Sequence, residues 1–410
     1  MILKLYFIFV MIFSGYATSF FRSDNGVIFL FLLTLFIIIK YNVIFTSTLI
    51  KIIIIWTVYC FTLMIFFNDF FPGFYLRHLT YILITYTFVK LLKENFFYLF
   101  ETYIYYFAII SLFFFSWQLV HFQSLYAVIT LFDVGKFSSS ILGDNTKNIF
   151  LYTLHFDAIN NQNMRNCGFT WEPGPFSIFL VLGIYFNFLR SHSKFIFSTR
   201  NIILIIALFT TQSTTGFLAF FLLLLNIQFT YKKGLSKYFI GFVFLLFIIF
   251  LFFELDFLYY KIDALYRSGN DADLLIENAM KHGGRASLGR FAGFTIGFRD
   301  FLNYPILGYA GANGRSVLSN LNVNLNMVSG LASILGVYGL FGILILSFYL
   351  KKSSKYINNL YVSNMPYAIL YILIIGLIAF HVQIMVMLFV IMFYSMFSQT
   401  EKSVKTANLK

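Results

Sequence analysis

Apolar runs with few charges recur from Leu5 to Phe397, separated by short connections and two long ones. A helix needs about 20 apolar residues (range ~17–25) to cross the ~30 Å hydrocarbon layer of a bilayer. Within that layer only helices and closed barrels satisfy their own backbone polar groups. The runs here are continuous rather than alternating, which selects helices. Twelve segments are candidates, some of them short: 5–21, 27–39, 49–67, 75–92, 102–122, 176–189, 195–211, 216–229, 238–253, 325–350, 367–380 and 384–397. The prediction is an all-α, polytopic integral membrane protein of about 12 transmembrane helices forming a single membrane domain over 1–410. Composition excludes the soluble alternative. Charged residues make up 11% and the mean hydropathy is +0.82, whereas about a quarter of a soluble domain is charged.

The net charge of +13 would point to nucleic acid in a soluble protein. In a membrane protein its placement matters more, because lysine and arginine gather in short cytoplasmic connections. With both termini cytoplasmic, seventeen lysines and arginines from Lys4 to Lys410 fall on that side, against Arg22 and Arg77 in the short outside turns. The N-terminal run continues into more membrane sequence, so it is expected to be the first span rather than a cleaved signal. Cys60 and Cys167 suggest neither a disulfide framework nor a metal site. Residues 398–410 are expected to form a disordered cytoplasmic tail.

Two connections are long, 121–175 and 254–324, and both fall outside. Together they hold eleven of the sixteen carboxylates, with enough aromatic residues to pack as folded caps. Loops of this length are functional or disordered. In the first, Arg165 and Glu172 stand seven positions apart, and Pro173 and Pro175 suit the first turn of the next helix. In the second, Arg285, Arg290 and Arg299 precede a Gly-rich turn and Arg315, with an amphipathic helix expected near 287–302 and stopped by Pro305.

Arginine's planar fork suits phosphate oxygens, so these arginines could hold a lipid diphosphate. The competing reading is a solvated loop in which Arg299 pairs with Asp300. Glu172 could act as general base on a sugar hydroxyl, or be a structural carboxylate paired with Arg165. His282, beside Gly283-Gly284-Arg285, is the second candidate acid or base. The other histidines, His78 among them, read as satisfied interfacial residues. No charged residue falls near the middle of a run, which favours an interfacial enzyme over an ion-coupled carrier.

These features resemble the O-antigen polymerase and O-antigen ligase superfamily of bacterial envelope glycosyltransferases. The likeness rests on the span count with two large periplasmic loops, and on Arg165-x-x-Gly168 with Glu172-Pro173-Gly174. It also rests on the turn from Thr211 to Gly216, and on Gly284-Arg285 followed by Pro305-Ile-Leu-Gly308-Tyr. It covers roughly 163–350.

The resemblance implies a metal-independent glycosyltransferase without cofactor in the bacterial inner membrane. Its donor and acceptor would be undecaprenyl-diphosphate-linked oligosaccharides, polymerised at the periplasmic face into O-antigen or capsular polysaccharide. It also implies diphosphate-binding roles for Arg165 and Arg285, contact with membrane lipid, and a chain-length regulator protein as partner. The alternatives are an O-antigen ligase acting on lipid A–core and a lipid-linked oligosaccharide flippase. Ligases of this group carry a histidine after the Gly-Tyr-Gly turn, where this chain reads Asn322-Val-Asn-Leu-Asn326. The polymerase pattern of an arginine followed eleven positions later by glycine is also unmet, since Phe176 and Ile296 stand there.

Overall fold

The computed structural model describes residues 1–69, 71–134, 146–155, 164–191, 198–231, 276–277, 290–310, 315–317, 330–361, 363, 365, 367–379 and 384–398. The predicted span at 238–253, the tail from 399 onward, His282 and Arg285 lie outside the described residues.

The chain is mostly helical. In order, the elements are α1 (Ile2–Ser14), α2 (Ser19–Arg22), α3 (Asp24–Lys40), α4 (Ser47–Phe67), α5 (Pro72–Leu92), α6 (Asn95–Val120) and α7 (Phe122–Leu131). The strands β1 (Thr146–Asn148) and β2 (Thr153–His155) precede α8 (Pro173–Arg190), α9 (Thr199–Thr211) and α10 (Thr214–Tyr231). Then follow α11 (Arg290–Asn303), α12 (Gly330–Leu360), α13 (Ala368–Ala379), α14 (Val386–Phe393) and α15 (Ser395–Ser398). Among the described residues four helices, α4, α6, α8 and α12, are long and apolar enough to cross a membrane.

The core is built around α8. Every residue from Pro173 to Leu189 is buried, and α6, α9, α10 and α13 pack round it. Lipid is as apolar as leucine, so helices in a bilayer associate through close packing of small residues rather than by hydrophobic burial. Such packing brings α10 onto α8. A Cβ added at Gly216 would lie 2.3 Å from that of Ser177. Pro173 occupies the first turn of α8, as its ring favours.

The all-α expectation needs one correction. The first long loop contains a two-stranded antiparallel hairpin, with Lys147 opposite Leu154. Asp133 pins it by accepting from the Asn148 amide at 3.0 Å and pairing with Lys147 at 3.0 Å. The Thr153 amide then bonds to the Gly168 carbonyl at 2.8 Å. Short polar strands of this kind carry little hydropathy signal.

A second correction concerns the run at 5–21. The helix stops at Ser14, because Gly15 turns toward the first loop, where its carbonyl accepts from the Trp171 amide at 3.2 Å. A Cβ at Gly15 would lie 2.4 Å from the Phe169 carbonyl oxygen. Tyr16 takes φ 51° and α2 follows, capped by Thr18.

The run at 325–350 also differs. Its described helix, Gly330–Leu360, is broken at Gly339 (φ 59°, ψ −163°). A break frees backbone groups that the bilayer cannot satisfy, and here the turn after α11 supplies the partners. The amides of Leu340 and Phe341 donate to the carbonyls of Pro305 (2.8 Å) and Ile306 (3.1 Å). In return, the amides of Tyr309 and Ala310 donate to those of Gly336 and Val337, each at 3.0 Å. Gly308 (φ 72°) fits because a Cβ there would lie 2.2 Å from the Val337 carbonyl oxygen. The second loop is therefore stitched into α12.

Candidate functional site

The first-loop island is a buried knot. The Asn166 side chain donates to Ser111 and Thr210 and accepts from the Gly168 amide. Gly168 (φ 51°) leaves room for the Phe176 ring. Cys167 is buried and free, as is Cys60, and burial pushes the Cys167 thiol up. Glu172 is the N-cap residue of α8, half-buried and without a side-chain cap bond. The positive end of α8 favours the carboxylate at this position.

Arg165 has a structural task. Its Nε donates to the Thr211 carbonyl at 3.1 Å and an Nη to that of Gln212 at 3.0 Å. It thereby caps the C-terminal end of α9, where the helix dipole favours a cation. Arg315 does the same at α4. An Nη donates to the Phe67 carbonyl at 2.8 Å while the guanidinium stacks 4.1 Å from the Phe67 ring centroid. Each loop is thus fastened to a helix end by an arginine.

The group nearest Glu172 in function was not among the sequence candidates. Arg22, at the end of α2, lies over the Trp171 ring at 5.1 Å. Burial lowers it to about 10, with Glu172 and then Tyr16 opposing that fall, so it remains a cation at neutral pH. From α5, Arg77 donates to the Arg22 carbonyl at 3.1 Å and to Asp24 at 3.4 Å. Its side chain is 12% exposed, and its buried Nε has no hydrogen-bond partner among the described residues.

Tyr16 and Tyr81 hydrogen-bond to each other through their hydroxyls. Burial pushes the Tyr16 phenol up, with Arg77, the Tyr81 bond and Arg22 opposing, which keeps it a donor. The Arg77 charge also reaches Tyr81 and, on α12, Tyr338.

His78 continues the strip. Its Nδ1 lies 2.8 Å from the Phe74 carbonyl and must carry the hydrogen, so the neutral ring accepts at Nε2 from the Tyr338 hydroxyl at 2.5 Å. Tyr338 directly precedes the Gly339 break. Across that break lies Asp300 on α11, fully buried, with Oδ1 accepting from the Val317 amide at 2.6 Å. Its Oδ2 has no hydrogen-bond partner among the described residues, and burial raises the carboxyl to about 6.

Asp300 corrects the expected pairing with Arg299. Adjacent helix positions point about 100° apart, so Asp300 turns inward while Arg299 stays half-exposed. Arg290 opens α11; its side chain lies outside the described residues, as do His282 and Arg285.

The strip runs from Glu172 through Arg22, Tyr16, Arg77 and Tyr338 toward Asp300, drawing on the first loop, the α1–α3 corner, α5, α12 and α11. Among the described residues, Arg77 Nε and one hydroxyl of the Tyr16–Tyr81 pair remain open to donate to an anion, and two carboxylates can move protons. Two features in the sequence could have drawn attention to it: Arg22 and Arg77 break the charge bias of the outside turns, and His78 follows Arg77 directly. Comparison of the chain with protein-family models, curated proteins and solved structures gives no match.

Proposed function

We propose that the protein is a glycosyltransferase that polymerises undecaprenyl-diphosphate-linked oligosaccharide repeat units at the periplasmic face of the bacterial inner membrane. The observation that carries this reading is the buried strip in which Arg22, Arg77 and Glu172 gather with Tyr16, Tyr81 and Tyr338.

In this reading the acceptor's sugar hydroxyl attacks the anomeric carbon of the donor and gives its proton to Glu172, with His282 as the second choice of base. The bond from anomeric carbon to diphosphate oxygen breaks, and the electron pair leaves with the lipid diphosphate. Arg22 and Arg77, joined by Arg285, Arg290 and Arg299 from the second loop, stabilise that developing charge. Preorganised donors of this type are worth roughly 10²–10³ in rate each. Arg165 serves as a positioning residue, holding the Glu172 loop to α9.

The way the described helix ends meet supports a reading with alternating spans and both termini on one side. At one end of the bundle Ser14 bonds to Met387, Asp24 to Arg77, Phe67 to Arg315 and Thr211 to Arg165, and Gly216 packs on Ser177. Lys93, Glu101, Arg190, Arg200, Ser353 and Ser395 are linked at the other.

The test is to incubate the purified protein with lipid-linked repeat units and no other enzyme. A ladder of polymer is expected, and an intact donor without a ladder rejects the reading. Arg285→Ala should abolish elongation at normal protein level and topology; unchanged chain length in that variant would reject its diphosphate role.

A further inference from the structure

At the end of the bundle away from the strip, Glu101 on α6 is buried and accepts from Arg190, Arg200 and the Asn187 amide. Two cations on one carboxylate leave a positive charge over. Arg190 and Arg200 each give an Nη hydrogen to the same Oε1, at 3.0 Å in both cases. That shared oxygen keeps the guanidiniums within reach of a single phosphate. Arg190 spends only Nε and Nη2 on the carboxylate, and Arg200 only Nη1. The N–H groups of Arg190 Nη1 and of Arg200 Nε and Nη2 have no hydrogen-bond partner among the described residues. The two side chains are 40% and 34% exposed, and they lie over the Tyr98 and Tyr105 rings at 5.3 and 5.5 Å. Both forks are therefore fixed before any ligand arrives, which lowers the ordering cost of binding.

Their surroundings select the kind of anion. Glu101 stands in the second turn of α6, about 9 Å from its start, near the depth where headgroups give way to hydrocarbon. Farther along, Tyr106 and Ile109 of α6 and Ile202 and Ile206 of α9 are exposed. Because α6 is long and apolar enough to cross a membrane, this apolar face meets lipid. A phosphate held by the two forks, whose geometry matches its oxygens, has the path of an acyl chain beside it. We infer that Arg190 and Arg200 together bind the phosphate of one anionic phospholipid, whose chain lies along the α6–α9 face. The inference goes beyond the transfer reaction and does not depend on it.

The test is native mass spectrometry of the full chain, stripped of lipid in detergent and titrated with phosphatidylglycerol or phosphatidylcholine of equal chain length. The first phosphatidylglycerol should bind about 10-fold more tightly than the first phosphatidylcholine, the worth of one charge-assisted hydrogen bond. Arg200→Gln, which leaves Arg190 on Glu101, should bring phosphatidylglycerol down to the phosphatidylcholine level. Lys40→Gln, which removes an exposed cation at the end of α3, should leave the preference intact. If Arg200→Gln does not yield folded protein, Arg200→Lys keeps the charge beside Glu101 but loses the fork, and it should weaken phosphatidylglycerol alone. Equal affinity for the two lipids in the parent protein, an undiminished preference in the Arg200 variant, or an equal loss in Lys40→Gln would each overturn the proposal. Displacement of phosphatidylglycerol by equimolar inorganic phosphate would also overturn it, assigning the forks to a soluble anion.

Discussion

The two polar ends of the helix bundle are built on opposite terms. At one end Glu101, with its side chain 1% exposed, is saturated. Arg190 reaches it through Nε at 2.8 Å and an Nη at 3.0 Å, Arg200 through Nη at 3.0 Å, and Asn187 at 2.5 Å. At the other end the charges are spread along a strip and incompletely matched. Arg77 keeps an unpartnered Nε, and Asp300 an unpartnered Oδ2, among the described residues. Buried polar groups are normally satisfied, and exceptions call for an explanation such as catalysis or a ligand. The Glu101 knot ties three helices together; the strip at the opposite end keeps valence in hand for something that arrives.

That contrast can be broken at either end. The largest effect is expected at the knot. Glu101→Ala removes four charge-assisted hydrogen bonds at once, each worth about 1.5–3 kcal/mol when buried and less toward the two guanidiniums, which are 40% and 34% exposed, visible as a collapsed yield or melting temperature in detergent. Gly308→Ala comes next, because it combines a left-handed backbone with a clash against the Val337 carbonyl. A cost of about 3 kcal/mol should appear as early proteolysis in the α11–α12 turn, ahead of global unfolding.

A paired measurement sharpens the comparison. Arg77→Gln should lower the polymerisation rate on the order of 10²-fold with little change in melting temperature. Arg190→Gln should do the reverse. Should both variants act on stability alone, the distinction between the ends fails.

The smallest effect concerns Asp300, whose carboxyl is raised from 3.8 to about 6. The folded state then holds the proton more tightly than the unfolded chain, so stability is full below about pH 4 and falls as pH rises through about 6. Asp300→Asn should flatten that part of a melting-temperature profile.

Much of the architecture was legible because bilayer crossing imposes a length that sequence displays directly. The start of α8 at Pro173, the end of α11 before Pro305 and the turn from Thr211 to Thr214 follow from local rules. The break at Gly339 did not, since the backbone partners that permit it come from a turn some thirty residues upstream. Nor did the stop at Ser14, where a carbonyl about 155 residues away excludes a side chain at Gly15.

The site shows the same division. Glu172 lies on the strip, and Arg165 lies close by as a clamp. Arg22, Arg77 and Tyr338 belong to it only because helices distant in sequence place them side by side, and no spacing rule encodes that.

The exchange of backbone bonds between the Pro305–Ala310 turn and the split α12 has a consequence for biogenesis. The turn precedes its partner in the chain, so it leaves the ribosome first and is already waiting when the later segment is threaded. Until the two meet, the upper half of that helix carries amides and carbonyls that hydrocarbon cannot accommodate. Assembly of the C-terminal third must therefore wait until the turn docks on the break, and released chains truncated just beyond residue 341 should protect the turn from protease, whereas chains truncated near residue 325 should not.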